Sequence, residues 1–404
     1  FAILGPKMLD ELNGMFAMVI VSLPAGEVFV ARDRLGIKPL YVHEDSLGIT
    51  LSSEIAPILE LIPAPDTDLV GLEQYRNLRM FAQGRTLYDG IAMFPPATFS
   101  INGLRQRFWT LQDSELGPPS DQELFELIQS VINDHNSAAV EIGSYLSGGI
   151  DSAIIATLSK VKDTWSVGTL NSNEFLDAAR TATFLESSHS NITIGTDEFL
   201  ISATEMIQFQ REPVCVPNEV LLYALNKRIK STNTVMLSGE GADELFDGYS
   251  RIFDWAANSS TFDVKEFAQL YSYTDNPNFE IIESVLEPHY GKTPYETVSS
   301  FFQIDHLHGL LRRVDNASMR CGIEARVPYV DHRLVERLFC VAYEWKNYEG
   351  VSKAPLRRLL SRYLPPEVSN RKKIGFPVDV NAILASRHWE TFANPYDSWY
   401  RFNA

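Results

Sequence analysis

A chain of 404 residues with 45% hydrophobic side chains can bury more than one core, and its length points to two or three domains. Its net charge of −17 argues against a nucleic-acid partner, which needs a basic face, but still allows a small basic pocket for a nucleotide. Three cysteines without a CxxC pair argue against a disulfide framework or a cysteine zinc site, and no apolar run reaches the roughly 18 residues of a membrane helix. A cytoplasmic protein without membrane contact is expected.

The first hundred residues read as short strands joined by turns. The runs "MFAMVIVSL", "EVFVARD", "LYVHED" and "GITLSSE" are β-branched or aromatic, and "PAGE" and "RLGIKP" punctuate them. A largely antiparallel sheet is expected there. Leu111 to Asp121, "LQDSELGPPSD", is polar, carries two prolines and lacks an apolar face, and is the expected linker. Beyond it, helical and strand-like runs alternate: "QELFELIQSVINDH", "VEIGSYL", "AIIATLSK", "TWSVGTL", "EFLDAARTATFLESS", "NITI", "NEVLLYALNKRIK" and "TVMLSG". Such alternation predicts a doubly wound parallel sheet, whose ligands bind at the carboxyl ends of its strands. From about Phe253 the chain reads as mainly helical, with amphipathic runs such as "VERLFCVAYEW" and "PLRRLLSRYL".

Two glycine-rich, acidic stretches fall at strand ends. "LSGGIDS" (Leu146 to Ser152) is either an ordinary turn or a phosphate cradle at a helix N-terminus, where backbone N–H groups and the helix dipole favour an anion. "LSGEGADELFDGY" (Leu237 to Tyr249) repeats the theme. Asp243 and Glu244 could simply serve as first-turn acids that match the dipole. Two such loops in one alternating domain favour the cradle. Asp151 and Asp243 could then supply the one or two carboxylates that magnesium takes beside phosphate oxygens.

"SGGIDS" resembles the pyrophosphate loop of ATP-pyrophosphatase enzymes. "LSGEGADELFDGY", "RVDNASMRCGIEARVPYVDHRLVE" and "RKKIGFP" are similar, in order, to glutamine-dependent asparagine synthetases. "LNGMFAMVIV", "FVARDRLGIKPLYV" and "LSSEI" resemble their glutaminase half. The resemblance implies an α/β protein in two parts. Residues 1–112 would form a glutaminase-like antiparallel domain of Ntn type, incomplete at its start. Residues 113–404 would form an ATP-pyrophosphatase (PP-loop) doubly wound domain with a helical C-terminal part.

The implied reaction is adenylation of a carboxylate, with aspartate as the default, by ATP and Mg2+; pyrophosphate leaves and a nitrogen nucleophile forms the amide. Carried across, Ser147, Gly148, Gly149 and Ser152 bind pyrophosphate, Asp151 and Asp243 hold magnesium, and Val167, Gly168, Leu146, Ser238 and Gly239 belong to the nucleotide site. Lys373 stabilises charge on the α-phosphate, and Glu240 acts as the base toward the incoming amine. β-Lactam synthetases carry Tyr where this chain has Glu240, yet "SVGTLNSNEFLDAAR" is similar to them as well. An intramolecular amide-forming relative of the β-lactam synthetase or lasso-cyclase type is therefore the alternative, and a catalytically dead binding paralogue a third. The charges of Glu324, Arg326 and Asp331 read as structural ion pairs.

The expected partners are a small carboxylate and ammonia or an amine donor, with a homodimer as one option. The sequence starts at Phe1, without the cysteine on which the family's glutaminase depends. Either an upstream portion is omitted from it or the glutaminase is vestigial, with omission the favoured expectation. A protein of this sequence alone is expected to use ammonia or an amine rather than hydrolyse glutamine.

Overall fold

The structure, a computed structural model, describes residues 1–46, 48–112, 116–339, 341–371 and 378–403. Residues 17–107 hold two antiparallel sheets. One pairs β1 (Ala17–Ser22), β2 (Glu27–Arg32), β6 (Thr98–Ile101) and β7 (Leu104–Arg107) in that order. The other runs β4 (Gly48–Ser52), β3 (Tyr41–Asp45), β5 (Ile91–Met93). The period of two sets the faces. In β1, Met18 and Ile20 pack toward Phe29, Ala31 and Phe99, while Val19 and Val21 are exposed.

The "RDRLGIKP" turn is built on two buried charges. Asp33 accepts the amides of Ile37 (2.9 Å), Lys38 (3.1 Å) and Phe16 (3.2 Å). Arg32 donates to the carbonyls of Gly36 (2.7 Å), Phe94 (2.7 Å) and Lys38 (2.8 Å). The turn pushes Leu35 into the large core that also holds Ile150, Leu237 and Tyr329.

The second part is a five-stranded parallel sheet made of β8 (Ile142–Tyr145), β9 (Asp163–Gly168), β10 (Ser188–Thr193), β11 (Val235–Leu237) and β12 (Glu324–Arg326). Their order is β10-β9-β8-β11-β12. From β8 the chain builds outward first to one side and then to the other, so the topological switch point lies between β8 and β11.

The helix Asp121–His135 opens on a capping box, Ser120 with Glu123, and buries Leu124, Ile128 and Ile132. Leucine, phenylalanine and isoleucine from the later helices form a second core, which includes Phe253, Phe267, Ile282, Phe301 and Phe302.

Three elements differ from expectation. The run "EFLDAARTATFLESS" is helical only over Phe175–Phe184; Glu186 turns left-handed at φ 53°, and Ser188 already belongs to β10. "VERLFCVAYEW" divides into the helices His332–Leu338 and Tyr343–Lys346, with Phe339 extended between them. The division brings Lys346 Nζ to 3.4 Å from Asp247 Oδ1, both side chains being fully buried. β12 lies in "GIEARVP", whose charges do not mark a strand.

Candidate active site

The loops after β8 and β11 flank the switch point, and they touch. A Cβ on Gly239 would lie 2.9 Å from the Ser152 amide nitrogen, so any side chain there would push the two loops apart. Tyr329 packs beneath them, its hydroxyl 3.3 Å from the Asp151 carbonyl.

The first loop is internally bonded. Ser152 Oγ receives the Ser147 amide (3.1 Å) and meets Ser147 Oγ at 3.0 Å; Ser147 Oγ receives the Gly149 amide (3.1 Å). The Gly148 amide donates to Glu174 Oε2 at 3.0 Å, and its carbonyl accepts from Arg371 Nη1 at 2.9 Å. Gly149 is the N-cap of the helix Ile150–Ser159 and offers no side chain to cap it. The positive end of that helix therefore faces the loop.

Asp151, in the first turn of this helix, and Asp243, in the first turn of Ala242–Leu245, converge on one cation. Lys353 Nζ lies 2.6 Å from Asp151 Oδ2 and 2.6 Å from Asp243 Oδ1. Burial works against the ammonium, but the two carboxylates outweigh it and raise the Lys353 pKa above its ordinary value. The residue precedes the helix Ala354–Leu360 in a left-handed N-cap at φ 55°. The sequence reading missed it, because a lysine before a proline-initiated helix carries no mark of the acids it will meet.

The other expected residues are placed as follows. Ser238 is buried and its Oγ accepts the Glu240 amide at 3.3 Å. Leu146 is buried against Ala156, Ala178 and Ala182. Val167 leans, partly buried, on Leu225, Met236 and Ile323. Gly168 closes β9 so tightly that a Cβ would come within 2.4 Å of Asn173 Cβ. Lys373 lies outside the described residues.

Beside Asp243, Glu244 is buried and accepts from the Tyr249 hydroxyl at 2.6 Å. Burial, and then the charge of Asp243, raise its pKa well above the usual carboxyl range. The structural reading of the later charges fits what is seen. Arg326 pairs with Glu324 at 2.6 Å and donates to the carbonyls of His135 and Ser137. Asp331 caps its helix and pairs with Arg333 at 2.8 Å. Among the described residues no group of three or more His, Cys, Asp or Glu side chains could hold a metal ion, and no helix is long and apolar enough to cross a membrane.

An antiparallel N-terminal part joined to a parallel sheet with two acidic glycine loops at its switch point defines an α/β enzyme of the PP-loop type. The family model described as asparagine synthase matches residues 123–401, and the model described as glutamine amidotransferase domain matches residues 1–109. The chain belongs to the asparagine synthase family, whose members are ATP-dependent amidotransferase ligases.

It is similar to asparagine synthetase [glutamine-hydrolyzing] 1 of Bacillus subtilis, at 26% identity over 97% of this chain and 71% of the relative. A Mycobacterium tuberculosis protein, provisionally named a glutamine-hydrolyzing asparagine synthetase, is also 26% identical over 95% of this chain and 69% of its own. Among solved structures, an NH3-dependent NAD synthetase from Campylobacter jejuni covers 46% of this chain and 94% of its own at 19% identity. Its TM-score of 0.27 is too slight an overlap to bear on the fold.

Proposed function

We propose that this protein is an ATP-dependent ligase that adenylates a carboxylate, releases pyrophosphate and passes nitrogen to the acyl-adenylate as an amide. The nitrogen would come from ammonia, from glutamine or from an amine, and the family resemblance makes aspartate the first acid to test. Residues 1–112 would be the glutaminase-like part and 113–404 the ATP-using part.

The observation that carries this reading is the convergence of Asp151 and Asp243 on one cation position at the sheet's switch point. Two carboxylates facing a common point, beside a helix N-terminus, are the protein's share of a magnesium–triphosphate site, with phosphate oxygens completing the ligand set. When bound there, magnesium would neutralise charge on the phosphates. The donor set fits that ion only together with nucleotide phosphate, since the described residues hold no third carboxylate in reach.

The chain's own residues would do the rest. Gly148, Gly149 and the Ser147 and Ser152 hydroxyls would position the leaving pyrophosphate. Lys353 would balance the two acids until the nucleotide arrives. Glu240, in the second loop, would take the proton from the attacking amine. Lys373 would hold developing charge on the α-phosphate.

The test is acid-dependent formation of pyrophosphate and AMP in equal amounts from ATP and magnesium, with aspartate and a panel of other carboxylic acids. Asp151→Asn and Asp243→Asn should each abolish it. Release of ADP instead, or ordinary turnover in either variant at saturating magnesium, would overturn the reading.

A further inference from the structure

A cavity of ≈ 330 Å³ opens beside the second acidic loop, and its walls are largely aromatic. Tyr249, Tyr273 and Tyr396 offer it partly exposed rings, and Tyr271 and Phe302 back them from within the second core. Their rings brace one another: Tyr249 with Phe302 at 4.9 Å, Tyr271 with Phe302 at 5.7 Å, Tyr271 with Tyr273 at 5.9 Å, and Tyr273 with Tyr396 at 4.7 Å. The volume lies at the lower end of the roughly 300–1,000 Å³ usual for small-molecule pockets.

A short chain of contacts ties this cavity to the acids of the reaction site. The Tyr249 hydroxyl donates to Glu244, the neighbour of Asp243, and His306 Nε2 stands 3.3 Å from the same hydroxyl and 3.6 Å from Glu244 Oε1. Tyr271 Oη closes the back of the group, 2.6 Å from His306 Nδ1.

The lining suits aspartate poorly. Two carboxylates and an ammonium need fixed charges of both signs, and among the described residues no acidic side chain lines the cavity. Its one guanidinium, Arg251, stands exposed and donates to the Leu270 carbonyl. Flat apolar groups are what such walls receive well, through edge-to-face and offset contacts.

We infer that this cavity holds the aromatic side group of the carboxylic acid that the enzyme activates, so that the substrate is an aryl-substituted acid rather than aspartate. The inference rests on the adenylation reading for the fate of the carboxylate, but the cavity's occupant can be tested without any chemistry. Binding of 3-phenylpropanoate and of aspartate to the full chain is titrated calorimetrically with α,β-methylene-ATP and magnesium, so that no pyrophosphate can leave. Tyr273 is the ring to change, because its backbone is held by Asn77 and by Asn394 and keeps its place without the side chain.

Wild type should bind 3-phenylpropanoate saturably and without displacement by aspartate. Tyr273→Ala should bind it about tenfold more weakly, the loss expected for one aromatic wall, and Tyr273→Phe should bind it as wild type does. An unchanged thermal shift with nucleotide certifies that Tyr273→Ala is folded. Absence of saturable binding, equal binding by Tyr273→Ala, or displacement by aspartate overturns the inference.

The two readings fail separately. Aryl acid bound as expected, with no acid of the panel releasing pyrophosphate from ATP, removes adenylation and leaves the cavity's assignment standing. Pyrophosphate release with aspartate, and neither binding nor release with aryl acids, does the reverse.

Discussion

Changing Lys353 to methionine keeps its stem and removes the ammonium that lies between Asp151 and Asp243. The two carboxylates then lose the ammonium they share in a partly buried site, at a cost of about 3 kcal/mol, the low end for breaking a buried pair. The variant should melt lower than wild type without magnesium and recover part of the difference when magnesium is added. Identical melting in the absence of magnesium would show that the lysine does not balance the acids. Asp151 and Asp243 were legible in the sequence because each sits in a glycine-rich strand end with a helix following. Lys353 was not, since its role arises from a tertiary meeting, and neither was the Arg312–Glu212 ion pair for the same reason.

At the scale of elements, the approach of the two loops is set by Gly239. Gly239→Ala would place a methyl group 2.9 Å from the Ser152 amide, and the loops would have to separate. Near-native melting with loss of acid-dependent pyrophosphate release is expected; full activity would mean that the loops tolerate spreading.

The helix Pro217–Ile229 makes a prediction about pH. Glu219 in its first turn is buried, and burial pushes its pKa up to about 8 despite Arg313 nearby. A carboxyl raised in this way binds its proton in the folded state where the unfolded chain has already released it. Its contribution therefore falls as pH rises from the ordinary carboxyl range to about 8, and is level beyond. Melting curves from pH 5 to 9 should show this loss in wild type and a flatter profile in Glu219→Gln; parallel profiles would remove Glu219 from the account.

The strands β8, β9 and β11 were readable from short apolar runs alternating with helical ones. β12 was not, because Glu324–Arg326 has two charges in three residues and is a strand only through pairing with β11. The early end of the helix Phe175–Phe184 was equally hidden, since a left-handed glutamate has no signature of its own.

Across the whole molecule, the two parts are joined by more than a linker. Leu35 enters the core of the parallel-sheet part, Lys38 pairs with Asp315 at 3.0 Å, Arg312 Nε donates to Tyr41 Oη at 3.0 Å, and Trp109 Nε1 donates to Glu336 Oε1 at 2.6 Å. Thermal unfolding should therefore follow one cooperative transition by calorimetry, and Leu35→Ala should cost about 2–5 kcal/mol and lower that transition as a whole. Two resolved transitions in wild type would show independent parts. The sequence told the two parts from each other by their contrasting periods. It could not show that they share a core, because a periodic pattern marks a buried face without naming what covers it.

One bond in the first loop has a bearing on how fast such an enzyme can run. The Gly148 amide already has an acceptor in Glu174, so on the proposed reading an arriving anion would trade places with a carboxylate instead of filling an empty seat. Its hold on the loop is a difference between two hydrogen bonds and is correspondingly modest. A grip of that kind opens as readily as it closes. For the proposed cycle, which would have to discharge a highly charged by-product before beginning again, easy departure would be worth more than tight capture.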